Sequence, residues 1–141
     1  MASKASQVEH LKSVPLFAGL NKKQLQLIAK SADEITVASG TVLVDQGQTG
    51  REAFLVLEGT VGIKRNGRKV ATLGPGAIVG ELALLDHGPR TATAVCESDA
   101  TLLVVDRRNF LSIVESSHTL TSRLLEYLAS RIRELDKTVY G

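Results

Sequence analysis

A chain of 141 residues with 43% hydrophobic side chains is long enough to bury a core, and its one cysteine, Cys96, has no partner for an internal disulfide. With 17 basic and 15 acidic residues the formal charge is +2, too small a surplus to imply a nucleic-acid or membrane surface unless the charge is local. No apolar run reaches the roughly 18 residues of a membrane span, and the N-terminal MASKASQVEH lacks the apolar stretch of a secretory signal, so a single cytoplasmic domain over residues 1–141 is expected.

The chain begins with a helical part over about residues 5–33. Its lead-in VPLFAGL is broken by Pro15 and Gly19, and the first clear element starts at Asn21. Asn21 as N-cap and Gln24 at the third helical position complete a capping box, with Leu20 and Leu25 placed as a hydrophobic staple. Leu25, Ile28 and Ala29, with Leu27 nearby, give that helix an apolar stripe ending near Asp33.

From Glu34 to Asp106 the texture changes to short β-branched runs: EITVA, TVLVD, AFLVLE, TVGIKR, KVATL, ATAVCE and ATLLVVD. Turn signals separate them, of which Asn66-Gly67 is the strongest, because both central positions of a type I′ turn need positive φ. Seven or eight such strands imply a sandwich or small barrel, with no crossover helices for a parallel sheet. Past Asp106, a good N-cap, two helices fill about residues 107–138. RRNFLSIVES carries Phe110, Leu111, Ile113 and Val114, and a second helix over roughly His118 to Lys137 aligns Leu120, Leu124, Leu128, Ile132 and Leu135.

The segment GELALLDHGPRTATA, residues 80–94, holds the chemistry. LALL has room for little more than one helical turn, too short to be made for stability, but such a turn presents unpaired N–H groups that suit an anion. Gly80 lets a ligand approach the backbone, and Arg90, delivered by Pro89, supplies a permanently charged fork for phosphate oxygens. Glu81 beside a phosphate is useful only as an acceptor for a hydroxyl on the same ligand, which points to a phosphorylated sugar or a nucleotide. Neither GxxxxGK[ST] nor GxGxxG is present. The alternative reading is a structural salt bridge between Glu81 and Arg90 that pins a loop.

GELALL followed by PRTATA resembles the phosphate-binding cassette of cyclic-nucleotide-binding domains, as found in catabolite activator proteins, cyclic-nucleotide-gated channels and kinase regulatory subunits. The resemblance extends through VPLFAGL and the helix after it, QGQTGREAFLVLEGTV, LGPGAIVGE and the final helix pair. It implies a mainly β fold with flanking helices: an eight-stranded jelly-roll barrel with an N-terminal helix, a short cassette helix in its mouth and two C-terminal helices. It also implies that Gly80 contributes backbone contact, that Glu81 takes the ribose 2′-hydroxyl, that Leu82 and Ala83 lend amide N–H groups, and that Arg90 binds the cyclic phosphate. Thr91 matches a position whose amide meets the phosphate and whose hydroxyl can reach phosphate or a guanine amino group. Gly47 and Gly59 match turn glycines without a ligand role. Val79 departs from the usual phenylalanine, which alters packing beneath the cassette more than its chemistry. By the resemblance the ligand is cAMP ahead of cGMP, since bacterial members with serine or threonine at Thr91 use cAMP. The last helix is the implied lid, with Arg131 and Leu135 as candidates to meet the base. As ordinary residues Arg131 is a solvated arginine, Leu135 is core or dimer packing, and Cys96 is a small buried side chain.

The expected function is a regulatory module that couples a cyclic nucleotide to movement of its C-terminal helices, with no enzyme activity, cofactor or metal. A metal enzyme of the related cupin type would need clustered ligands, and His10, His87 and His118 fall on a tail, a turn and a helix start. A non-binding scaffold of the same fold would show a broken cassette, whereas Glu81 and Arg90 are both present. The remaining alternative is a domain excised from a larger regulator, such as a transcription regulator. Too little chain follows Leu135 for a helix-turn-helix, so direct DNA binding is not expected. The output partner is an unidentified effector protein or a second copy joined through the C-terminal helix.

Overall fold

Asn21 and Gln24 form the capping box the sequence predicts: Asn21 Oδ1 accepts from the Gln24 N–H at 2.9 Å, and Gln24 Oε1 accepts from the Asn21 N–H at 2.8 Å. They open α2, Lys22–Ser31, which buries Leu25, Ile28 and Ala29. The structure is a computed structural model that describes residues 3–140, with the backbone alone for 138–140. Met1, Ala2 and Gly141, included in the one-domain expectation, lie outside the described residues. Ahead of α2 stands a helix that the sequence reading did not resolve as an element, α1, Lys4–Lys12, capped by the Ser3 hydroxyl and burying Gln7, Val8 and Leu11. A 3-10 turn at Pro15–Phe17 joins the two.

Eight strands follow among the described residues: β1 Asp33–Val37, β2 Val42–Val44, β3 Glu52–Glu58, β4 Val61–Arg65, β5 Arg68–Leu73, β6 Ile78–Val79, β7 Thr93–Cys96 and β8 Ala100–Asp106. They make one long antiparallel ribbon. Its turn is Asn66-Gly67, with φ of 54° and 80°, and it pairs β4 with β5, β3 with β6, β2 with β7 and β1 with β8. Successive pairs fall alternately into two sheets, ordered β1-β8-β3-β6 and β2-β7-β4-β5. This is a jelly-roll order, but the expected barrel is corrected to an open sandwich. Among the described residues no ladder joins the sheets, and the chain passes from one to the other at every connection except the β4–β5 turn.

Alternation along β3 explains how both faces of the first sheet are buried. Ala53, Leu55 and Leu57 pack with the helices, while Phe54 and Val56 face the second sheet. Asp106 accepts from the Asn109 N–H and starts α3, Arg107–Glu115, and α4 follows as His118–Tyr140. Phe110 of α3 and Phe17 close the helical core with ring centroids 5.4 Å apart. No described helix is long and apolar enough to cross a membrane.

Candidate functional site

The ribbon builds the site by its connectivity. Since β2 pairs with β7 and β3 with β6, the β2–β3 loop must lie beside the β6–β7 connection that carries the cassette. Main-chain bonds join the two: the Gly47 N–H donates to the Arg90 carbonyl at 2.9 Å, and the Arg90 N–H donates to the Gln48 carbonyl at 2.8 Å. Between cassette and second sheet opens a cleft of about 670 Å³, within the usual range for small-molecule sites. The cassette turn is a 3-10 helix, Glu81–Leu84, with Gly80 as its left-handed N-cap and Leu84 fully buried in the helical core.

Arg90 is seated by two glycines. A Cβ at Gly50 would overlap the guanidinium Nη2, Nε and Cζ, and a Cβ at Gly80 would lie 2.5 Å from Nη1. Burial lowers the Arg90 pKa from its ordinary value, and the charge of Glu52 partly restores it. Nη1 is buried and has no hydrogen-bond partner in the protein. A buried, unmet donor on a charged group is costly and calls for an anionic acceptor.

Glu81 does not pair with Arg90, so the salt-bridge alternative is not what the fold forms. Its carboxylate is only 18% exposed and faces α4, where Arg131 Nη2 stands 3.8 Å from Oε1. The Tyr127 hydroxyl donates to Oε1 and Oε2, each at 3.1 Å. Burial first, and the Glu81 charge second, push the Tyr127 pKa up to about 12, so the phenol remains a donor at neutral pH. Arg107, the first residue of α3, is buried and donates to the carbonyls of Ala83 and Asp86 at the end of the cassette turn. The cassette is thus tied to both C-terminal helices.

Of the residues singled out from sequence, Gly80, Glu81, Leu82, Ala83, Arg90, Thr91 and Arg131 line the cleft together. Leu135 does not line it, and it is exposed on α4. Ile63, Val70, Ala71 and Leu73 form an apolar wall opposite the cassette, and Arg65 at the end of β4 donates from Nε to the Thr91 carbonyl at 3.3 Å. Sequence reasoning missed Gly50, Arg107 and Tyr127. Two of these carried a signal. Tyr127 is four residues before Arg131 and so shares its helix face. Arg107 is a cation in the first turn of a helix, where the dipole disfavours it, which implies acceptors elsewhere. Among the described residues no three His, Cys, Asp or Glu side chains gather as a metal site.

Comparison with known proteins agrees with this geometry. The chain is 34% identical to the cyclic AMP receptor protein of Thermus thermophilus, over 89% of this chain and 61% of that protein. It is 39% identical to a cAMP-dependent protein kinase regulatory subunit of Eremothecium gossypii, over 72% of this chain and 22% of the subunit. The chain therefore spans under two thirds of both relatives. The N-terminal domain of a transcriptional regulator from Streptomyces coelicolor superposes with a TM-score of 0.78 at 32% identity, covering 92% of this chain and 93% of that one. The model of the cyclic nucleotide-binding domain matches residues 34–117, from the first strand through the cassette to the end of α3. The chain belongs to the cyclic nucleotide-binding domain family.

Proposed function

We propose that this chain is a cytoplasmic cyclic-nucleotide receptor domain spanning residues 1–141, which binds cAMP in preference to cGMP and acts by binding without catalysis. The observation that carries this reading is the buried Nη1 of Arg90, left without an acceptor and seated between two glycines beside the cleft. An equatorial phosphate oxygen would satisfy that donor. Glu81, held apart from Arg90, has acceptor capacity for the ribose 2′-hydroxyl beside its contacts with Tyr127 and Arg131, and Leu82 and Ala83 stand at the same wall, where the Ala83 N–H also donates to the Gly80 carbonyl at 3.1 Å. The apolar wall of Ile63, Val70, Ala71 and Leu73 can pack against a purine base, with Arg65, Thr91 and Arg131 among the polar side chains beside it. The names of the two relatives point the same way. Arg131 of α4 lines the cleft and would close over the base.

Coupling follows from the cassette's ties. A ligand held by Arg90 and Glu81 immobilises a segment bonded to α3 through Arg107 and to α4 through Tyr127 and Arg131. The output is a change in the population of docked α4, which an effector protein or a second copy reads.

Thermal unfolding with cAMP, cGMP and AMP tests the reading. At 100 times its dissociation constant cAMP is expected to add about 2.7 kcal/mol of stability, with AMP adding far less. Arg90→Ala is expected to lose about 1.5–3 kcal/mol of binding. No stabilisation by either cyclic nucleotide, or equal binding by Arg90→Ala, would overturn it.

A further inference from the structure

The side from which Tyr127 reaches Glu81 decides what that contact does. Glu81 and Arg131 line the ligand cleft, but Tyr127 does not. Its side chain lines a second cavity of about 550 Å³ between the Pro15–Phe17 turn and the two C-terminal helices, together with Leu16, Phe110, Val114 and Leu120. The hydroxyl therefore reaches the carboxylate from a residue outside the cleft lining, and the cleft stays open while the contact is made. An ionised carboxylate has about four acceptor positions, so the shared Tyr127 O–H and the 3.8 Å ion pair to Arg131 leave acceptor capacity for a ligand hydroxyl. Tyr127 and a ligand hydroxyl can thus bond Glu81 at the same time, so the contact supports binding and does not compete with it.

We propose that Tyr127 is a positioning residue, which holds the Glu81 carboxylate ready for the ligand's 2′-hydroxyl without itself lining the cleft and so joins α4 docking to ligand binding. The inference rests on the reading of Glu81 as the ribose acceptor. A free glutamate side chain samples several rotamers, and the bifurcated bond from Tyr127 holds Glu81, a cleft-lining residue, in one of them. Ligand binding in turn fixes the carboxylate for Tyr127, and by linkage the two effects are equal. Of the α4 residues near the cassette, Tyr127 holds Glu81 more closely than Arg131, at 3.1 Å against 3.8 Å.

The test compares cAMP with 2′-deoxy-cAMP on the full chain by calorimetry, for wild type, Tyr127→Phe and Glu81→Gln. Phenylalanine keeps the ring in the second cavity and removes only the hydroxyl. Wild type is expected to bind cAMP about tenfold or more tighter than the deoxy ligand. Tyr127→Phe is expected to lose about three- to tenfold for cAMP and almost nothing for 2′-deoxy-cAMP. In the Glu81→Gln background the same change is expected to cost nothing further for either ligand. Wild-type affinity of Tyr127→Phe for cAMP, with the wild-type preference for cAMP intact, overturns the role of Tyr127 and leaves the ribose reading standing. Equal losses for both ligands overturn it as well, since the hydroxyl would then act on the fold and not through Glu81. Equal binding of the two ligands by wild type defeats the ribose reading itself.

Discussion

At Gly80 the backbone takes a φ of 76°, and any side chain there would meet Arg90 Nη1. Gly80→Ala is expected to lower stability by about 1–2 kcal/mol through left-handed strain. It should also weaken cAMP binding beyond that by moving the guanidinium off its seat. Urea unfolding, with and without ligand, separates the two effects; a Gly80→Ala chain that keeps full affinity would show that Arg90 does not need this seat. Glu81 and Arg90 were legible in the sequence because charges at the ends of an apolar run have no core role. Their relation was not, since only the fold reveals that Glu81 turns to α4 while the Arg90 guanidinium lies against Gly50 and Gly80. Gly50 was hidden for a different reason. Its constraint comes from Arg90, 40 residues further along the sequence, and no local turn pattern records it. Tyr127 read as one more large side chain on an amphipathic helix, and its hydroxyl gained meaning only from Glu81.

Among the elements, α3 bears most directly on the cassette because Arg107 holds the carbonyls that end its 3-10 turn. Arg107→Met keeps much of the side-chain volume but strands those acceptors. The expected loss is about 1–3 kcal/mol of stability, measured by thermal unfolding without ligand. A fall in cAMP affinity should accompany it, and unchanged stability would remove the arginine as a tie. The capping box of α2, the Asn66-Gly67 hairpin and the Asp106 cap were all readable, because each is set by residues within one turn of chain. α1 was not, since its buried face includes Gln7 and so breaks the apolar period. Nor was β6, whose two residues are too few to show alternation and are strand only because β3 pairs with them.

For the whole molecule, the apolar stripe predicted along the last helix splits in two. Leu120 is buried and Leu124 packs on the core, whereas Ile132 and Leu135 remain 65% and 63% exposed, as does Leu125, outside the predicted stripe, at 63%. With half-buried Leu128 these four recur at intervals of 3, 4 and 3, the spacing of a two-helix seam. We expect a homodimer through α4 that Leu125→Glu with Ile132→Glu converts to a monomer, read by sedimentation velocity. A monomeric wild type, with and without cAMP, would exclude the seam as the output surface.

The ribbon also gives the molecule two unlike ends. The β2–β3, β4–β5 and β6–β7 connections gather at one end, where Gln46 bonds Asn66 and Gly47 bonds Arg90. The β1–β2, β3–β4 and β7–β8 turns gather at the other, where Ser39 bonds Asp99 and Thr60 bonds Ser98. The cassette and its main-chain bonds to the β2–β3 loop belong to the first end. The turns of the second, away from the cassette, are therefore where the chain is expected to accept inserted residues, a fluorescent reporter or a grafted epitope.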